Sequence, residues 1–360
     1  MKNQKVKKAR EGYSGWSKKL LWPVLSLLIA LASIGAVASQ LKQESLGEIW
    51  ARLREANPVF LAAAVAAMLG FILFEALALR ATCAAFAPKP KIKDSCEWAA
   101  ADIYFSAITP SATGGQPACL LLMCQNGISG MSGTAALVLN LTMYTVSILV
   151  IGLGCFLIRP QLFWQFGTLS RVLIAVGYLV QIGMALFFYL LLRHEKLLGT
   201  LCGGVVRLGG RIRLIRHPDA VLEKLNEKIE QYRTVSGQLA GHRKTLLRVF
   251  GYNLLQRLSQ IAVTMFVFLA MGIGGASAVD LLAMQSYVVL GSNYVPVPGG
   301  MGVTDFLMLD GFGAIMDGAA AVRLELVSRS LSFYLCILLC GGALVLRWVL
   351  SKKQKVRKSK

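Results

Sequence analysis

The chain has 360 residues, 56% of them hydrophobic and 16% charged, with a mean hydropathy of +0.60 and a formal net charge of +20. A soluble protein of this size carries more charge, so these values place the chain among polytopic membrane proteins. The basic residues gather at the two termini and in two loops, where they read as topology and lipid contact, and no nucleic-acid partner is expected.

Residues 1–19 form a basic N-terminus, predicted to be cytoplasmic. An apolar run from Leu20 to Ser39 follows. Ala36 and Ala38 resemble a signal-peptidase site, but the run is long enough to span a bilayer and is read as a retained span. Asn57 to Leu79 is predicted as a second span, containing Glu75. A loop with Lys89, Lys91 and Lys93 around two prolines then stops the helix. Glu97 to Ile108 reads as a helix too short to cross alone. The stretch Thr109 to Pro117 breaks it, and a short apolar piece from Ala118 to Cys124 follows.

Longer spans are predicted from Thr134 to Ile158 and from Arg171 to Leu192. Residues 193–245 form a basic cytoplasmic insert in which Leu222, Leu225, Ile229, Tyr232 and Leu239 share one face of an amphipathic helix, suited to a membrane surface or to packing. Leu246 to Met271, containing Arg257, is the next span. Asp280 to Tyr294 and Val303 to Met316 flank a second break, Val295 to Gly302, and Leu326 to Val349 completes the set before a basic tail at 351–360.

The predicted fold is therefore all-α: a polytopic membrane bundle over residues 20–350, with about six full spans and two re-entrant broken-helix hairpins. With both hairpins re-entrant, the two termini, the Lys89 to Lys93 loop and the insert all fall on the cytoplasmic side of the cell membrane. Span, hairpin, span then occurs twice, over Asn57 to Ile158 and Leu246 to Val349, with the hairpins entering from opposite sides. That is the pattern of an inverted repeat, which in transporters sets broken helices around a midplane substrate.

Each break has a proline shortly before a Gly-Gly pair. Backbone that leaves helical geometry inside lipid must find its hydrogen bonds in protein or in a wet cavity, so two breaks predict one polar site within the membrane. Gly114, Gly115, Gly299 and Gly300 leave backbone N–H groups unobstructed, and Pro117 can open a new half-helix whose N-terminus suits an anionic group such as a lipid phosphate. Thr109, Pro296 and Pro298 belong to the same two motifs, and Ser111, Thr113, Gln116, Asn293 and Thr304 add neutral hydrogen-bonding groups. Ionisable residues within spans are functional candidates by default. Here they are Glu75, Asp102, Arg257, Asp305, Asp310 and Arg329. Asp102 and Asp305 stand out because each lies close to a break. Arg257 and Arg329 are the candidates for holding a phosphate through paired guanidinium donors.

The eight cysteines lie mostly in apolar surroundings without a Cys-x-x-Cys pair, and the three histidines, His194, His217 and His242, fall in the basic insert. Neither set has the spacing of a metal site, and no metal or cofactor is expected. No Gly-x-Ser-x-Gly, His-Glu-x-x-His or Walker motif is present, so no catalytic residue is assigned and transport would draw on an ion gradient or the substrate's own.

Thr-Pro-Ser-Ala-Thr-Gly-Gly-Gln-Pro at Thr109 to Pro117, Pro-Val-Pro-Gly-Gly-Met-Gly-Val-Thr-Asp at Pro296 to Asp305, and Arg329 in the final span resemble the transmembrane domain family of lysylphosphatidylglycerol synthases and flippases. The resemblance runs from about Leu20 to Leu350 and is to the membrane half of the multiple peptide resistance factor, found also as stand-alone proteins. Many relatives carry glutamate where this chain has Asp305, which shortens the carboxylate's reach. Full-length members add a soluble domain that transfers lysine from lysyl-tRNA to phosphatidylglycerol, and no such transferase domain is expected in the residues after the last span.

The resemblance implies a lipid translocase, for a phospholipid, a lipid-linked sugar or an aminoacylated lipid, with a role in antimicrobial-peptide resistance. Two other readings stay open: lysyl transfer together with a separate soluble subunit, and a non-transporting regulator whose basic insert binds anionic lipid. The expected partners are membrane phospholipids with anionic head groups. A homo-oligomer and a soluble partner at the insert are also left open.

Overall fold

The computed structural model describes residues 54–87, 90–109, 112–193, 243–274 and 276–358, together with 199–200, 203–204 and 206–207. Apart from Arg54 these belong to one compact unit, Glu55–Lys360. The predicted span Leu20 to Ser39, the N-terminus before it, Ser111, the amphipathic face in the insert and the last two residues of the tail lie outside the described residues.

Eleven α-helices are described here, with no strand among the described residues: α1 (Pro58–Cys83), α2 (Ile92–Ile108), α3 (Gly115–Gln125), α4 (Gly130–Ile158), α5 (Pro160–Gln165), α6 (Thr168–Arg193), α7 (Arg243–Ala270), α8 (Ala278–Ser292), α9 (Val303–Gly313), α10 (Gly318–Arg329) and α11 (Cys336–Lys358). Five stretches are long and apolar enough to cross a bilayer: α1, α4, α6, α7 and the run Gly318–Leu350. They correspond to the five predicted spans that fall within the described residues, and the protein is an all-α polytopic membrane protein.

Helix ends follow local capping chemistry. Asn57 caps α1 through its side chain, with Pro58 at the first helical position, where its missing N–H costs nothing. Ser129 caps α4, and Ser277 with Asp280 forms a reciprocal capping box on α8. The final span differs most from expectation. It starts at Gly318, capped by Asp317, and passes through a π-helical turn at Ser330–Leu335 before continuing as α11. The first short helix is also longer than predicted, because α2 begins at Ile92, with Lys91 between it and Pro90.

Side-chain burial is arranged for an apolar solvent. Leu157 is 72% exposed and Leu338 70%, while Glu75, Asn140, Asn253 and Gln256 are all buried. Water would drive the opposite distribution; in lipid, polar groups find partners only inside.

α1 packs along α7, and several other packing pairs match across the two halves: α2 meets α3 as α8 meets α9, α1 meets α2 as α7 meets α8, and α4 meets α8 as α11 meets α2. This is the pairing that a two-fold related pair of span-hairpin-span units produces. Glycines set the closest approaches. A Cβ at Gly177 of α6 would overlap the carbonyl of Leu290 on α8, and one at Gly133 of α4 would meet Leu120 at 2.6 Å. Around the first hairpin, Trp98, Cys119, Met123 and Leu139 form a fully buried core with Leu79 of α1.

Candidate functional site

The first break is closed by short-range bonds. Thr109 Oγ1 donates to the carbonyl of Phe105 at 2.6 Å and accepts from the backbone N–H of Gly114 at 2.8 Å. One hydroxyl thus satisfies groups at both severed helix ends. α3 starts at Gly115, so Pro117 is its third residue, still within the turn that lacks intrahelical N–H partners. Gln116 Nε2 donates across the break to Asp102 Oδ1 at 3.0 Å. A Cβ on Gly115 would overlap Ser106 Oγ and Asp102 Oδ1, and one on Gly114 would meet Thr109 at 2.7 Å. These two glycines therefore bring α2 and α3 together, and the Gly114 N–H is taken by Thr109. Ala112 turns the chain at φ 54°, a left-handed conformation uncommon for a residue with a side chain.

The second break is built differently. α8 ends at Ser292, a 3-10 turn covers Pro298–Gly300, and Gly299, Gly300 and Gly302 have φ of 59°, 65° and 77°. Such values suit glycine, which has no Cβ to clash with the backbone. Gly299 also lies against the Phe333 ring, where a Cβ would overlap it. Asp305 Oδ2 accepts from the Gly302 N–H at 2.8 Å, capping α9, while its Oδ1 lies 2.8 Å from Arg329 Nε on α10. The Arg329 guanidinium sits 4.6 Å above the Phe333 ring, one turn along in the π-helical segment.

Between the breaks lies a cavity of about 520 Å³. Asp102, Thr113, Gln116, Arg257, Gly299, Gly300 and Arg329 line it, as do Asn293 and Thr304, so residues of both breaks border one cavity of mixed polar and apolar lining. Thr109, Gly114, Gly115, Pro296, Pro298 and Asp305 are absent from its wall; Ser111 is outside the described residues. Asp310 is also elsewhere, accepting from the Gly167 N–H at 2.8 Å.

One side of the cavity is a dense polar network. Glu75, on α1, accepts from Asn140 Nδ2 at 3.1 Å and from Gln256 Nε2, and it adjoins Asp102. Asn253 Nδ2 donates to Asn140 Oδ1 at 3.1 Å. Arg257 donates to Gln256 and Gln260 and stacks over Tyr144, 4.1 Å from its ring centroid. The two arginines expected to clamp a phosphate are thus unequal. Arg257 is tied into its own helix and an aromatic ring, whereas Arg329 keeps Nη2 without a hydrogen-bond partner although the residue is only 8% exposed.

Residues 24–340 match the family described as the lysylphosphatidylglycerol synthase TM region. The chain belongs to that family. Among curated proteins it is similar to the UPF0104 membrane protein PH1989 of Pyrococcus horikoshii, 28% identical over 130 residues. That match takes in 36% of this chain and 38% of the archaeal protein's length. No solved structure matches.

In this member of the lysylphosphatidylglycerol synthase TM family, several wall residues escape a reading based on motifs and charges. Asn140, Tyr144, Gln256, Gln285 and Phe333 line the cavity, and Glu75, visible as an ionisable residue in a span, joins them. The available signal was a single amide within an otherwise apolar helix, such as Asn140 between Leu139 and Leu141. An amide buried in lipid-facing sequence costs free energy unless it has a partner, so each marks an inward face.

Proposed function

We propose that this protein moves a phospholipid between membrane leaflets, binding the head group in the cavity between the two breaks and exposing it to alternate sides as the two span-hairpin-span units rock against each other. The carrying observation is Arg329, a buried arginine on the cavity wall with Nη2 unpartnered beside the second break. A phosphate supplies the charge-assisted acceptor that this nitrogen lacks. The cavity volume of about 520 Å³ falls within the ~300–1,000 Å³ typical of small-molecule sites and is ample for a head group. The acyl chains would remain in the bilayer beside the bundle. Membership of a family described by a phospholipid synthase, and the apolar outer faces, support a lipid as the cargo.

The test is leaflet exchange of fluorescent phospholipids in liposomes containing the purified protein, read by reduction of the outer-leaflet probe. Exchange above that of empty liposomes, lost on Arg329→Gln, is the expected result. No acceleration for any phospholipid class in protein-containing vesicles would overturn the translocase.

A further inference from the structure

The cavity wall carries two acidic side chains that holding a phosphate does not require. Glu75 of α1 and Asp102 of α2 hydrogen-bond to each other there. An ionised carboxylate has only acceptors, so a hydrogen bond between two carboxyl groups contains a proton. Two like charges in contact and out of water are also too costly to persist together. The charges around the pair agree, because Glu75, Asp102 and the adjoining Arg257 of α7 sum to zero only when the pair holds one proton. Across the cavity Arg329 is matched by Asp305, and Arg347 of α11 is matched by Glu97 nearer the start of α2. The other titratable neighbours are the Cys119 thiol of α3, with Cys83 of α1 beyond it, and Tyr144 of α4, whose ring lies under Arg257. Cys336 of α11 lines the same cavity.

The surroundings suit a proton better than a metal cation. Asn140 Nδ2 and Gln256 Nε2 donate to the two oxygens of Glu75, and Gln116 Nε2 donates to Asp102 Oδ1. A hard metal ion needs a shell of oxygens, whereas here three N–H donors face the carboxyl groups and a guanidinium lies alongside. A single proton needs one lone pair. An independent count also finds this network short of donors: Asn253, wholly buried and bonded to Asn140, keeps Oδ1 without one. Access runs through Asp102, which is partly exposed on the cavity wall while Glu75 is only 2% exposed.

We propose that Glu75 and Asp102 form a proton-binding site, which holds one proton between their carboxyl groups and exchanges it with the cavity through Asp102. Release breaks the carboxyl O–H, passes the proton to water and leaves two carboxylates facing each other beside the same amides and Arg257. Their repulsion presses α2, the first arm of the hairpin, away from α1. Protonation thus sets how closely the first hairpin sits on its neighbouring span, and head-group movement is coupled to proton movement. The coupling rests on the translocase proposed above; the proton site does not.

Infrared spectroscopy of the purified full chain, in a detergent without carbonyl groups, tests the site through the C=O stretch that a protonated carboxyl gives. Wild type at neutral pH should show this band. Glu75→Gln and Asp102→Asn should each remove it, because the one carboxylate left has Arg257 beside it and stays charged. Both replacements keep the side chain's shape, and unchanged amide bands and elution volume check that the variants fold. No band in wild type, or a band that neither replacement alters, would overturn the site. Coupling is read in liposomes as the leaflet distribution of a fluorescent phospholipid under an imposed pH gradient. With one proton moved per lipid, a gradient of one pH unit should shift the distribution about tenfold, and in Glu75→Gln the distribution should stay even. Wild-type exchange that ignores the gradient would overturn the coupling and keep the site. If no lipid is exchanged at all, the translocase and its coupling fall, and the infrared band still decides the proton site.

Discussion

The two helix breaks carry similar motifs, yet they are held by different forces. At the first, Thr109 and Gln116 bond to groups a few turns away, and Gly115 lets α2 and α3 meet with no room for a side chain. At the second, three glycines in left-handed conformations shape the chain, and the fastening is an ion pair from Asp305 to Arg329 on another helix. The first break is a local packing joint. The second depends on a tertiary partner, Arg329, that also lines the cavity.

The largest expected effect comes from filling the packing joint. Gly115→Leu should lower stability by about 3–5 kcal/mol, since neither Ser106 nor the α2 backbone beside it can withdraw without parting the helices. At the second break, Gly302→Ala meets open space and carries only the strain of its φ, about 1 kcal/mol. Thermal unfolding in detergent measures both, and similar losses for the two would erase the distinction between a packed and a merely bent break.

A smaller effect separates the fastenings. In a double-mutant cycle, Asp305→Asn with Arg329→Gln should show coupling of about 2 kcal/mol, since removing one partner leaves the other buried charge uncompensated. Asp102→Asn with Gln116→Leu should show about 1 kcal/mol, the size of one net hydrogen bond. Unfolding midpoints of the single and double variants give both values, and a stronger coupling at the first break would reverse the comparison.

A conservative pair of substitutions tests the hydroxyl that bridges the first break. Thr109→Val keeps the volume but removes both of its bonds and should cost about 1–2 kcal/mol, whereas Thr109→Ser retains them and should cost a few tenths. If valine is as stable as serine, the bonds contribute nothing and packing alone closes the break.

How far these differences could be foreseen depends on the range of the forces involved. Both breaks, the five described spans and the membrane class were legible from apolar run length and from proline and glycine, because lipid leaves the backbone only helix or a protected break. That Asp102 and Arg329 face a shared space was also expected from the cost of burying charge. The π-helical turn at Ser330–Leu335 was not foreseen, since no proline or glycine marks it and its wide turn is seen only where it places Phe333 against Gly299 and Arg329.

The sequence by itself determined that the chain enters a membrane, which stretches are long enough to span it, and which residues are too polar to face lipid. Those properties depend on single segments meeting one solvent. Only the tertiary structure decided that Gly115 serves packing, that Arg257 is occupied by Gln256, Gln260 and Tyr144 while Arg329 keeps an unpartnered nitrogen, and that Asp305 reaches α10 instead of the cavity. Each of those outcomes depends on which of several polar groups lies within about 3 Å of another, a distance fixed by how separate helices pack.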